Sequence, residues 1–170
     1  MSLKYNWLII LLLLSQTLFT QTYQAKIIGV KDGDTVEILY ENKSKTVRLA
    51  HIDAPEKNQP YGKKAKQTLS DFCFGKEVKV VIAGKPDRYD RWIAELFYNN
   101  QNLNKALVRQ GLAWHFTKYS KSENYADLER IARKKKLGLW QDAYPIAPWD
   151  WRKRKKTASQ RNAVLLWDVK

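Results

Sequence analysis

The chain predicts an α+β fold on three observations. Strand-like runs come first, then a helix, then more strands and helices, without the regular alternation of β-α-β units. Val36, Ile38 and Tyr40 alternate with Thr35, Glu37 and Leu39, the two-residue period of a strand with unlike faces. Ala65, Leu69, Phe72 and Cys73 recur at the spacing of one helical face. A five-stranded barrel with helices against it fits this order.

Residues 26–52 are rich in β-branched side chains, with turn signals at Asp32-Gly33-Asp34 and at Glu41 to Lys45, and predict two or three antiparallel strands. Pro55 and Pro60 leave Asp53 to Tyr61 as loop, because proline fixes φ and removes a hydrogen-bond donor. A helix of about three turns follows from Lys63 to Phe74, with Gly75 placed to end it. Glu77–Ile82 and Trp92–Tyr98 read as strands flanking a polar turn that contains Asp87 to Asp90. A short helix from Leu103 to Gln110 stops at Gly111. Ser120-x-x-Glu123 offers a capping box for a helix packing through Tyr125, Leu128 and Ala132, with Gly138 closing it.

At 170 residues the chain holds one domain with terminal extensions. Residues 1–22 read as a signal peptide or short anchor: Lys4 precedes an apolar run from Trp7 to Leu14, too short for the about 20 residues that span a bilayer. A secreted or cell-envelope protein is expected, membrane-anchored if the leader is not cleaved. The domain proper takes residues 23–151, and 152–170 read as a basic, loosely ordered tail.

Thirty-one Lys and Arg against 17 Asp and Glu give a net charge of +14. The tail's seven Lys or Arg and one Asp carry +6 of it, leaving +8 for residues 1–151. Such an excess favours polyanions, nucleic acid or an anionic membrane surface, through Coulomb attraction and counterion release. The single cysteine, Cys73, excludes an internal disulfide and sits at core spacing, as a buried structural thiol would.

Acidic residues are scarce, yet Asp32, Asp34, Asp53 and Glu56 all fall at strand ends or in loops of the first half. Turn-borne carboxylates suit hard divalent cations, and Asp34 with Asp53 form the natural pair; each alone is equally an ordinary turn residue. Arg48 stands among apolar neighbours in Thr46-Val47-Arg48-Leu49, where it must face solvent or an anion. Arg91 adjoins the polar turn. Two guanidinium groups near carboxylates and a metal are the parts of phosphoryl chemistry, with strand-edge salt bridges as the alternative.

Three motifs in order, Asp32-Gly33-Asp34-Thr35, Arg48-Leu49-Ala50-His51-Ile52-Asp53-Ala54-Pro55-Glu56 and Asp87-Arg88-Tyr89-Asp90-Arg91, resemble the staphylococcal nuclease family. The likeness runs from about Lys26 to Trp140 and takes in residues 106–113 and 137–140, which look like the family's packing helices. The resemblance implies a five-stranded OB-type barrel with three helices, and a calcium-dependent hydrolase that cuts DNA and RNA to 3′-phosphate products. It assigns Asp34, Asp53 and the backbone carbonyl of Ala54 to Ca2+, and Arg48, Glu56 and Arg91 to catalysis. Arg88 and Tyr89 would lie beside the substrate phosphate, and Tyr119 would stack on a base, a contact suited to single strands.

Departures from the family pattern are Ala54 in place of threonine, Asp90 where glycine is frequent, and Thr117 where a second base-contacting tyrosine is expected. The resemblance gives His51 and His115 no role, and both read as structural. A barrel that binds nucleic acid without cutting it is the competing reading. The leader and the run Arg152 to Lys156 also suit weak membrane association, compatible with catalysis. A monomer is expected.

Overall fold

Residues 21–154 and 157 are described by the computed structural model. The leader up to residue 20 and the tail, apart from 152–154 and 157, lie outside the described residues.

Five strands close into a barrel. They are β1 (Thr22–Asp32), β2 (Thr35–Tyr40), β3 (Lys43–Leu49), β5 (Glu77–Ile82) and β6 (Trp92–Tyr98), with short pairs added by β4 (Ile52–Asp53), β7 (Gln101–Asn102) and β8 (Trp114–His115). The sheet runs β3-β2-β1-β5-β6-β7 by antiparallel neighbours, and a parallel pairing of β3 with β6 joins its ends. That closure leaves no long free edge between β3 and β6. The architecture is α+β and OB-type, as expected.

The predicted alternation holds on β2 from Val36 to Leu39, with Val36 and Ile38 fully buried and Leu39 42% exposed, but Thr35, expected on the outward face, is buried. Ala25, Ile27, Val47, Leu49, Val78, Val80, Ala94 and Leu96 complete the barrel interior. Helix α1 (Gly62–Cys73) covers it with Ala65, Leu69 and Cys73, and α2 (Leu103–Arg109) with Leu103 and Leu107. Gly75 takes the left-handed conformation, φ 75°, that ends α1 as its position predicted. Cys73 is buried, donates to the Leu69 carbonyl at 3.0 Å, and burial pushes its thiol up to about 12, so it is an inert core residue.

Two helix limits differ from the sequence reading. Helix α3 (Glu123–Lys134) has Ser122, not Ser120, as its N-cap, and no capping box forms. The Ser120 hydroxyl is instead shared by His51 Nδ1 and His115 Nε2, each 2.9 Å away. The helix ends at Lys134, with Lys136 in the left-handed region, φ 50°. Gly138 opens a 3-10 turn (Gly138–Gln141) packed on the Gly111 carbonyl and so does not close α3. A fourth helix, α4, covers residues 148–154.

Candidate active site

The sharp turn at Asp32-Gly33 places Asp34 at the mouth of the barrel, where the Asp32 carboxylate accepts the Asp34 N–H at 3.1 Å. From there Asp34 reaches across to the loop after β4: Ala54 N–H donates to its carboxylate at 2.6 Å, and the Thr35 hydroxyl donates at 3.1 Å. Register fixes the next member, since Thr35 on β2 pairs with Arg48 on β3. The Arg48 guanidinium lies 2.9 Å from Asp34 and 2.8 Å from Asp53, and also donates to the carbonyls of Leu49 and Ile52. Of the two environments open to Arg48, solvent or an anion, the structure gives the anion, this carboxylate pair.

Asp53 is 1% exposed, held in β4 by its pairing with Trp114 of β8. Both its oxygens are occupied: Arg48 takes Oδ1, and Arg152 takes Oδ1 at 3.2 Å and Oδ2 at 2.7 Å. Arg152 also donates to Glu56 Oε1 at 2.7 Å. Burial raises Asp34 to about 7, opposed by Arg48 and reinforced by Asp32 and Asp53. One guanidinium divided between two carboxylates leaves Asp34 short of positive charge. Asp34 and Asp53 offer hard carboxylate oxygens of the kind a divalent cation takes, while the Ala54 backbone meets Asp34 through its N–H, and among the described residues no cluster of three or more His, Cys, Asp or Glu suited to a metal forms.

Glu56 is held by a tight turn. Gln59 N–H donates to the Glu56 carbonyl at 2.8 Å, Glu56 N–H donates to Gln59 Oε1 at 3.1 Å, and Gly62 N–H donates to the Gln59 carbonyl at 3.0 Å. A Cβ on Gly62 would stand 1.9 Å from the Glu56 carbonyl oxygen, so the close approach admits only glycine. Asn104 secures the other end of the loop: fully buried, it donates to the carbonyls of Ala50 and Ala94 and accepts from Leu96 N–H.

Arg88, Tyr89 and Arg91 form a second cluster on the turn before β6. Asp87 organises it by accepting the N–H groups of Tyr89 and Arg91 on Oδ1 and the Arg91 Nε and Nη2 on Oδ2, at 2.9 and 2.7 Å. Burial pushes the Asp87 carboxyl up, but Arg91 and these backbone donors outweigh it and hold the group below the usual range. Arg88 lies over the Tyr89 ring and donates to its hydroxyl at 2.7 Å, leaving Tyr89 64% exposed. Strand β6 then runs parallel to β3 with Ile93 opposite Arg48, so the turn flanks β3 ahead of Arg48, and Arg91 makes its ion pair with Asp87 rather than with a carboxylate of the first cluster. Asp90, where the family often has glycine, adopts φ 58°, a conformation Asp tolerates, and pairs with Lys45 of β3 at 2.6 Å.

Tyr119 stands apart from both clusters, 72% exposed with its ring edge against Phe116. Phe116 stacks on Trp149 at 5.4 Å, one helical turn before Arg152. His51 and His115 share Ser120 and stack on Tyr125, the structural role expected of them. Burial lowers His115, opposed by Glu129.

Comparison with known proteins points to the same family as the sequence motifs. A family model described as staphylococcal nuclease homologue matches residues 46–142, more than half of the chain. A Haemophilus influenzae protein named as an uncharacterized endonuclease is 45% identical over 132 residues, spanning 77% of this chain and 74% of its own length. A micrococcal nuclease of Shigella flexneri is 34% identical over 148 residues, 81% of this chain and 84% of its own. The chain belongs to the staphylococcal nuclease family.

In this staphylococcal nuclease homologue, Arg152 is the site residue that sequence reasoning missed, having been counted with the basic tail. No local signal marks it among Arg152 to Lys156. The single hint was the aromatic density just before it, Trp149 and Trp151, which predicts packing rather than a free end. Asn104 and Gly62 were also missed, since a buried amide and a close backbone approach are set by partners distant in sequence or hidden in a loop.

Proposed function

We propose that the chain is a calcium-dependent endonuclease that hydrolyses phosphodiester bonds in DNA and RNA, single strands preferred, to 3′-phosphate products. The observation that carries this reading is Arg48 bridging the buried Asp34 and Asp53 beside Glu56. Such a cluster is costly to bury for stability alone, and is what a polyanionic substrate and a cation require.

Asp34, Asp53 and the Ala54 carbonyl would hold Ca2+, which when bound polarises a phosphate oxygen and helps position a water. Glu56, 41% exposed at the rim, accepts a proton from that water as its oxygen bonds to phosphorus and the bond from phosphorus to the 5′ oxygen breaks. The leaving 5′ oxygen takes a proton from solvent. Arg48 and Arg91 neutralise charge gathering on the phosphoryl oxygens, so they contribute more to the transition state than to ground-state binding. Asp87 keeps Arg91 extended and oriented for that task. Arg88 would take a neighbouring phosphate, while the exposed rings of Tyr89 and Tyr119 offer stacking faces for unpaired bases.

Export by the amino-terminal leader, weak attachment to anionic membranes through leader and basic tail, and a monomeric state belong to the same proposal, supported by the leader's sequence and the +14 charge. The deciding experiment is degradation of single-stranded DNA by the purified protein with Ca2+, with Mg2+ and with EGTA, alongside Arg91→Ala. Cleavage dependent on Ca2+ and on Arg91 is expected. Binding without cleavage under every condition would make the barrel a nucleic-acid-binding module.

A further inference from the structure

We propose that Arg152 is a built-in occupant of the cation site: in the cation-free protein its guanidinium holds Asp53 and Glu56, and a divalent cation binds by displacing it. The proposal rests on the reading of Asp34 and Asp53 as cation ligands.

Arg152 grips both oxygens of Asp53, at 3.2 and 2.7 Å, and Glu56 Oε1 at 2.7 Å. Asp53 Oδ1 is shared with Arg48, so guanidinium N–H groups take three of the about four acceptor positions of this carboxylate. A cation at Ca2+-ligand distance, about 2.3–2.6 Å from an Asp53 oxygen, would stand against the Arg152 charge in a partly desolvated pocket. The two therefore compete for Asp53.

The two arginines are not equally able to move. Arg48 is 14% exposed and tied to two backbone carbonyls, whereas Arg152 is 45% exposed and bonded only to carboxylates. Arg152 is thus the one that yields. Its base nonetheless is fixed: Trp149 packs against Trp114 and stacks on Phe116, and Gln59 donates to the Ile146 carbonyl at 2.6 Å, seating α4 against the loop that carries Glu56. A side chain on a seated helix returns to Asp53 whenever the cation leaves. Lys153, beside it on the same helix, pairs with Asp150 and touches neither site carboxylate.

The test is Ca2+ binding to the full chain by titration calorimetry, paired with thermal denaturation in Ca2+ and in EGTA, for the parent, Arg152→Ala and Lys153→Ala. Arg152→Ala is expected to bind Ca2+ about tenfold more tightly, the scale of one charge-assisted hydrogen bond at a part-exposed site, and to widen the gap in Tm between Ca2+ and EGTA. Lys153→Ala, which removes the same charge without touching Asp53, should stay within about twofold of the parent. Should Arg152→Ala fail to fold, Arg152→Gln keeps most of the stem's packing and carries the same expectation. Equal Ca2+ affinity in the parent and the Arg152 variant, or an equal gain in Lys153→Ala, overturns the proposal and leaves the cation reading intact. Absence of Ca2+ binding in every variant overturns both.

Discussion

Gly62→Ala tests whether the turn around Glu56 sets the rate. Its new Cβ would meet the Glu56 carbonyl oxygen at 1.9 Å, the Glu56 carbonyl carbon at 2.7 Å and the Pro55 carbonyl oxygen at 3.1 Å. Ordinary contact begins near 3.4 Å, and all three atoms are backbone, so no side chain can swing aside. Relief therefore takes a shift of about 1.5 Å, shared between the start of α1 and the segment carrying Glu56. Misplacement of about 1 Å at a reacting group costs about 100-fold in rate. Overpacking of this kind destabilises by about 1–3 kcal/mol, or about 3–10 °C in Tm for a chain of this size. Initial rates on single-stranded DNA at saturating Ca2+, with Tm measured in parallel, separate the two effects. A folded Gly62→Ala protein with turnover within about threefold of the parent would show that the position of Glu56 is not held by this close approach.

Glu56→Gln keeps the shape and removes the proton acceptor, so turnover should fall by a factor on the order of 100, and unchanged turnover would reject the assigned role. His115 predicts a pH effect on stability: burial lowers it below its ordinary value of 6.5, so the unfolded chain takes up the proton more readily and stability is lost as pH falls below about 6.5. His115→Asn should flatten that dependence in urea titrations between pH 5 and 7; an unaltered slope would exclude His115 as its source. Removal of residues 155–170, which carry four Lys or Arg, should weaken binding of long single strands and reduce the salt slope by about 0.7 for each phosphate that the tail had neutralised. An identical slope would mean that these residues neutralise none.

Much of the fold was legible because local pattern and tertiary demand agree. The apolar face of α1 and the limits of β5 and β6 follow from periodicity and from Gly and Pro punctuation, and the barrel uses them unchanged. Where the local pattern misleads, a partner far along the chain decides the outcome. Ser120 looks like a cap, but its hydroxyl is taken by His51, 69 residues away, leaving Ser122 at the helix start. Gly138 looks like a stop, but its free space is filled by the Gly111 backbone. At the site, Asp34, Arg48, Asp53 and Glu56 were recognisable by motif, and the structure joins them into one connected cluster. Arg152 was not, since nothing in a run of basic residues says which one lies on a helix anchored by Trp149.

The parallel seam between β3 and β6 has a consequence for how the chain acquires its structure. Val47 and Trp92, 45 residues apart, must meet before the barrel closes, and closing so long a loop delays the pairing relative to the β1-β2 and β2-β3 hairpins. The turn that carries Arg91 is set beside β3 only through that late step. A nascent or half-folded chain can therefore display Asp34, Arg48 and Asp53 in local proximity while lacking the opposing guanidinium of the loop before β6. The proposed cutting competence is then a property of the completed topology rather than of the local Asp34, Arg48 and Asp53 cluster alone.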